Sequence, residues 1–246
     1  MDAKARAFMP TALRTPHQYA IPGEPWSIWY SGEKLQHNFT RMLYDLIHAH
    51  QTQQYWCHKL GMTNKIYQII DWDALNNAIQ AVPRNRSVFI SKHTSGMCGV
   101  EKFMKRWRKW DTSACLRCGE QEDSIHVWRC KGQDTPRQWE KSIQGLSQWK
   151  TSVNTDPDVN HHILHHLWHG YNDSPLPEFT PVDLEAAING QNSIGWGQFF
   201  EWWLHTSWAQ TQQHYYSLIH SKCTGKHWVT LLIQKLWDIA WDLWTN

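Results

Sequence analysis

Four residues, Cys115, Cys118, His126 and Cys130, constrain this chain more than any other feature of its sequence. Their spacing, C-x2-C-x7-H-x3-C, suits one tetrahedral zinc ion. Two cysteines separated by two residues turn a tight knuckle that points both sulfurs at one metal. A His and a Cys four apart project from one side of a short helix and supply the second pair of ligands. The intervening Gly119-Glu120-Gln121-Glu122-Asp123-Ser124-Ile125 is a polar, hairpin-like loop, too hydrophilic for a buried strand. A disulfide would pair two of the cysteines and leave the third, and His126, without a role. Four protein ligands leave no open position for water, so the expected zinc is structural rather than hydrolytic.

Charge places this site in the basic part of the molecule. The chain of 246 residues has 24 basic and 22 acidic side chains. Between Arg84 and Lys131, however, 11 Lys/Arg face 5 Asp/Glu, a local +6 that leaves the rest at −4. A filled zinc site lowers the local figure by about one, because three thiolates meet one divalent ion. This segment is where an anionic partner is expected.

The N-terminus lacks the apolar core of a signal peptide, and no run of apolar residues is long enough for a membrane span. Cys57, Cys98 and Cys223 are scattered and suggest no disulfide framework. The expectation is a protein of a reducing compartment, nuclear or cytoplasmic, neither secreted nor membrane-bound.

Hydrophobic periodicity predicts an all-α fold, mostly helical, with a small CCHC zinc knuckle inserted between helices. Eighteen tryptophans are present, many at helical spacing, such as Trp237, Trp241 and Trp244, which reads as helical core. Prolines make residues 1–31 an irregular lead-in. A helical region follows over 32–174, containing the knuckle at about 113–131. A Trp-rich C-terminal helical subdomain covers 182–246, past Pro175, Pro177 and Pro181. Within this frame helices are expected from near Gly32 (Leu35, Phe39, Leu43, Leu46, Ile47) and over Gln51–Leu60, ending at Gly61. Asp71 caps another, stopped before Pro83. SVFIS at 87–91 fits strand or helix. Val100 to Trp110 reads as a basic helix, with Phe103, Trp107 and Trp110 on one stripe. Thr135–Trp149 follows the knuckle, Asp156-Pro157 opens the next helix, and a long helix from about Gly225 to Trp244, apolar nearly all round, must lie between others.

The run His161-His162-Ile163-Leu164-His165-His166-Leu167-Trp168-His169 offers three i, i+4 histidine pairs. Such pairs can chelate zinc or nickel, but the run lacks the acidic base of H-E-x-x-H hydrolases. It reads as a helix with a histidine polar face and Ile163, Leu164, Leu167 and Trp168 turned inward.

Several stretches together resemble a known family. They are Pro25-Trp26-Ser27-Ile28-Trp29-Tyr30, Ile70-Asp71-Trp72-Asp73-Ala74-Leu75, Lys92-His93 and Lys105-Arg106-Trp107, leading into the Cys/His motif. The chain resembles the zinc-binding region that follows the reverse transcriptase and ribonuclease H domains in eukaryotic non-LTR retrotransposon polyproteins. In that family an Arg/Lys-rich helix with a Trp precedes Cys-x-x-Cys-Gly, a short acidic loop and His-x-x-x-Cys. Arg106, Trp107, Cys115, Cys118, Gly119, Glu122, Asp123, His126 and Cys130 stand at those positions. Leu116 stands where the family often has proline, which loosens the turn and removes no ligand. Ile194-Gly195-Trp196 and Trp237…Trp241…Trp244 extend the likeness with less specific residues. The resemblance implies a non-catalytic accessory region that holds template RNA or target DNA, beside the polymerase portion of a longer polyprotein.

On this reading Lys102, Lys105, Arg106, Arg108, Lys109, Arg117, Arg129 and Lys131 contact phosphates. Trp107, Trp110 or Trp128 stacks on unpaired bases wherever exposed. No Asp-Asp dyad and no ribonuclease H carboxylate set can be assembled, so no catalysis is expected. The competing reading is a zinc-stapled protein-interaction scaffold that docks through an exposed Trp patch between Val182 and Asn246. An enzyme would have to use Cys98 with His93 nearby, or a metal on the histidine run, and neither makes a nucleophile–base–orienter set.

Overall fold

The computed structural model describes residues 29–30, 33–34, 39–95, 97, 101–123, 125–172 and 174–245. The chain divides into two compact units, residues 1–62 and 63–246. The lead-in up to Pro25, Leu35 and Cys98 lie outside the described residues.

In the first unit β1 (Trp29–Tyr30) pairs antiparallel with β2 (Glu33–Lys34), in register Trp29↔Lys34 and Tyr30↔Glu33. This small hairpin corrects the expectation of irregular chain and then helix around residue 31. Helix α1 (Phe39–Leu60) is one element of 22 residues, where two helices were expected. Nothing between Ile47 and Gln51 breaks it, since the stretch holds neither Gly nor Pro. It ends as its sequence dictates. Gly61 takes φ +65° and the Met62 N–H donates to the Cys57 carbonyl at 3.0 Å, the long bond of a Schellman turn.

The second unit is helical, as composition and periodicity require. Its elements are α2 (Asn64–Ile69), α3 (Trp72–Gln80), α4 (Ser87–Thr94), α5 (Glu101–Arg106), α6 (His126–Arg129) and α7 (Thr135–Ser152). They continue with α8 (Pro157–Asn172), α9 (Val182–Ile194), α10 (Ser207–Leu218) and α11 (Gly225–Thr245). Asp71 caps α3 as expected, its Oδ1 accepting from the Ala74 N–H at 2.9 Å. The ambiguous SVFIS segment is helical. The basic helix is shorter than its stripe suggested. It stops at Arg106 because Arg108 adopts φ +56°, with Arg108 N–H donating to Lys105 O and Lys109 N–H to Met104 O, both at 2.9 Å. That is a Schellman turn built without glycine, so Trp107, Arg108, Lys109 and Trp110 lie beyond the helix.

Helix α11 organises the unit. It packs against α3, α6, α7 and α10. Trp228, Val229, Leu232, Ile233, Leu236, Trp237, Ile239, Ala240 and Leu243 are buried round its circumference. Each fully buried aliphatic side chain of this kind contributes about 1.5–3 kcal/mol, so this helix supplies much of the driving force. Residues on both sides of Pro175–Pro181 belong to the same unit.

Residues 195–206, expected within a helical stretch, form an irregular segment that is nonetheless core. Phe199, Phe200, Trp202, Trp203 and Leu204 are all buried there. Buried irregular backbone needs partners, and Gln191 of α9, itself fully buried, supplies three, with a fourth bond to the Trp208 indole of α10. Its Nε2 donates to the carbonyls of Gly195 (3.2 Å) and Trp203 (2.9 Å). Its Oε1 accepts from the His205 N–H (3.2 Å) and the Trp208 indole (3.1 Å). From α4, His93 Nε2 donates to the Phe200 carbonyl at 2.9 Å, and the Trp202 indole donates to the Thr94 carbonyl at 3.1 Å. Asp71 N–H to Leu204 O (2.9 Å) and Thr206 N–H to Ile69 O (3.0 Å) tie the segment to the α2–α3 junction.

Lys150 of α7 is buried without a hydrogen-bond partner among the described residues, and burial holds its amine well below the usual lysine range. No helix among the described residues is long and apolar enough to cross a membrane.

Two outcomes follow from these contacts. Gln191→Ala strands two carbonyls and two donors and should cost on the order of 3–5 kcal/mol, measured by urea unfolding. Burial is the main cause that lowers the pKa of His93, His162, His166 and His205 below the usual histidine value. The unfolded chain therefore binds more protons, and the stability these rings contribute is complete above about pH 6.5 and lost progressively below it. Tm should fall between pH 7.5 and 5.5. The slope should be shallower in His93→Gln, which keeps a donor for Phe200 and removes one titrating ring.

Candidate metal centre

The first two ligands sit on a short hairpin between Ser113 and Glu122. Ala114 and Gln121 form an isolated antiparallel bridge, Cys115 N–H donates to Glu120 O at 2.6 Å, and Glu122 N–H donates to Ser113 O at 2.9 Å. Gly119 turns the corner at φ +78°, and its N–H donates to the Cys115 carbonyl at 2.8 Å. This folds Cys118 back beside Cys115. The other two ligands flank α6. Asp123 Oδ1 accepts from the His126 N–H at 2.8 Å and so caps that helix, and Cys130 N–H donates to the His126 carbonyl at 2.8 Å.

The four donor atoms, three Sγ and one imidazole nitrogen, all lie within 4.8 Å of one another. Cys115 Sγ is 3.8 Å from Cys130 Sγ, and Cys118 Sγ is 3.3 Å from His126 Nε2. Two sulfurs each about 2.3 Å from a tetrahedral ion stand ~3.8 Å apart, and a sulfur and an imidazole nitrogen ~3.5 Å apart. A disulfide would need about 2.05 Å. The donors thus sit where one small ion with soft or borderline chemistry would hold them. Cys115 and Cys130 are buried, and burial foremost, together with the neighbouring Cys130, pushes the Cys115 thiol up to about 11. Without a cation that thiol stays protonated, and an ion taken up there would displace its proton.

The surroundings supply support that the ligand spacing did not reveal. Glu120 Oε2 lies 3.9 Å from His126 Nδ1, the ring atom left over when Nε2 faces the cysteines. Gly132 N–H points at Cys130 Sγ (3.4 Å), and the Thr135 hydroxyl reaches the carbonyls of Cys130 (2.7 Å) and Gly132 (2.8 Å). Of these helpers only Asp123 carried a signal in the sequence, an Asp three residues before a helical His. Between the two ligands of α6, Trp128 turns the other way and is buried. Its ring lies 5.1 Å from Phe200 and 5.7 Å from Trp139, and Trp139 in turn stacks on Tyr171 at 4.7 Å. The metal turn is therefore wedged into the aromatic core by its own indole.

The basic residues singled out in the sequence fall into two groups. Lys102, Lys105 and Arg106 are exposed on α5, and Trp107, Arg108, Lys109 and Trp110 are exposed in the turn after it, with Trp107 and Trp110 39% and 45% accessible. Arg117, Arg129 and Lys131 surround the metal turn, and each has an internal contact. Arg117 Nη1 donates to the Leu243 carbonyl of α11 at 3.4 Å. The Arg129 guanidinium sits 4.9 Å over Trp128, and the Lys131 ammonium 3.1 Å over Tyr171. Trp128 is only 5% accessible, which removes it as a stacking platform for bases.

A Cβ at Gly132 would stand 2.5 Å from the Arg117 Cβ and 2.9 Å from its carbonyl oxygen. Gly132→Ala must therefore push the Cys115–Cys118 turn away from Cys130. Its affinity for the metal should fall by about 10- to 100-fold in a chelator competition, the range seen when ligand support is lost. No family model, curated protein or solved structure matches this chain.

Proposed function

We propose that Cys115, Cys118, His126 and Cys130 hold a zinc ion, and that the chain is a zinc-stabilised, non-catalytic nucleic-acid-binding region of the kind resembled by its Cys/His motif. The observation that carries this reading is the convergence of Cys115, Cys118, His126 and Cys130, entered from an exposed run of cations between Lys102 and Lys109. A closed set of three sulfurs and one nitrogen suits zinc in a structural role. Zinc holds the turn and α6 together, and α6 is anchored in the core by Trp128. Lys102, Lys105, Arg106, Arg108 and Lys109 supply phosphate contacts to RNA or DNA, with Trp107 and Trp110 as the accessible rings beside them. Arg117, Arg129 and Lys131 extend the positive surface around the metal turn.

The scaffold reading needs an indole patch on the surface of 182–246. There Trp202, Trp203, Trp208, Trp228 and Trp237 are buried, and Trp244 is 38% accessible. His93, the basic partner that an enzyme reading would assign to Cys98, is spent on the Phe200 carbonyl.

The test has two parts. Purified protein should carry one zinc, and Cys115→Ser/Cys118→Ser should carry none at this site. Binding to single-stranded RNA or DNA should weaken linearly in log salt. Neutralising Lys105, Arg106, Arg108 and Lys109 should lower that slope by up to ~3. Equal binding and an equal slope in the neutralised variant would remove this surface from the proposal.

A further inference from the structure

The histidine run on α8 is not the uniform polar face that its sequence suggests. His162 and His166 are buried, 3% and 5% accessible. His166 donates from Nδ1 to the His162 carbonyl at 2.8 Å and stacks on Trp196 at 4.2 Å. His169 donates from Nδ1 to the Ser174 carbonyl at 2.6 Å. Packing and backbone contacts thus occupy three of the five rings. The remaining two, His161 and His165, are exposed, stand one turn apart on the same face, and approach to 4.2 Å between ring centroids at 46°.

We propose that His161 and His165 form a second metal site, separate from the cysteine cluster, for a divalent ion of the zinc, nickel or copper class. Two imidazoles bound to one tetrahedral ion at about 2.0–2.1 Å have nitrogens ~3.3 Å and ring centroids ~5 Å apart, so the two rings, 4.2 Å apart in the empty pair, swing apart by about 1 Å to take the ion between them. Imidazole donors select these ions over calcium and magnesium. The helix fixes both donors in advance, so little order is lost on binding. Asp158, also exposed, stands three residues before His161 on the same helix. The ring of His162 packs edge-on against His161 at 5.5 Å, and its buried Nδ1 has no hydrogen-bond partner among the described residues. The cysteine cluster is the one grouping of three or more donors among the described residues, so the α8 site has two protein ligands and leaves its other positions to water. It is therefore an open, exchangeable site, unlike the closed one at the knuckle.

The experiment is a calorimetric titration of the full chain, first incubated with zinc and desalted, with further Zn2+, alongside total bound zinc. The parent is compared with His161→Ala/His165→Ala and with His214→Ala, which removes an exposed histidine from α10. The parent should take up one ion more than the double variant, or bind it more than about tenfold more tightly. His214→Ala should behave as the parent. Equal uptake and affinity in parent and double variant would overturn the proposal, as would an equal loss in His214→Ala, which marks general surface-histidine binding. If the cysteine cluster held no zinc, the parent's only ion would be the one lost in the double variant. That result would support the α8 site while sinking the zinc reading of the knuckle.

Discussion

A helix that is apolar round nearly its whole circumference cannot stand in water, and α11 is such a helix. Covering it is the constraint to which the second unit answers. Helices α3, α6, α7 and α10 each close part of its surface, and they come from widely separated parts of the sequence. Of these four, α6 is a single turn of four residues, too short to be stable alone. It is held at both ends by cluster residues, His126 as its first residue and Cys130 just after its last, and Trp128 reaches the aromatic cluster of Trp139, Tyr171 and Phe200.

The Cys/His cluster is therefore a structural joint between several elements. On one side it holds the Ser113–Glu122 hairpin, whose Arg117 reaches a carbonyl near the C-terminal end of α11. Those last carbonyls have no partner inside their own helix, and a guanidinium is suited to satisfy one and to favour the negative end of the dipole. On the other side, Thr135 fastens Cys130 to the start of α7, and Gly170 of α8 lets the Trp128 ring approach closely. A Cβ there would lie 3.1 Å from that ring. Ligation, helix capping and aromatic packing thus meet within about twenty residues of chain.

Much of this was legible in the sequence. Ligand spacing located the cluster, because a tetrahedral ion demands donors in adjacent pairs. Asp71, Gly61 and the Asp156-Pro157 start announced their helix ends through local hydrogen bonding and fixed φ, which depend on few neighbours. What stayed hidden depends on partners far away in sequence. The 195–206 segment is rich in aromatics and looks helical by composition. Its backbone is irregular because Gln191, His93 and Thr94 satisfy it from outside, and no periodicity encodes that. The end of α5 rests on Arg108 accepting a left-handed conformation, a role that composition assigns to glycine. The histidine run was ambiguous because periodicity gives a helix but not which face meets the core, and Trp196, which covers His166, lies thirty residues downstream.

The order of the chain gives the joint a temporal character. All four donors precede α11 by about a hundred residues, so at ~5–20 residues per second they emerge from the ribosome roughly 5–20 s before the helix against which α6 packs. During that interval the three thiols are open both to metal and to oxidation. An ion captured then would protect the sulfurs and present Trp128 on a finished turn, ready for its cover. A chain that missed its ion would instead bring three oxidisable cysteines to the point of burial.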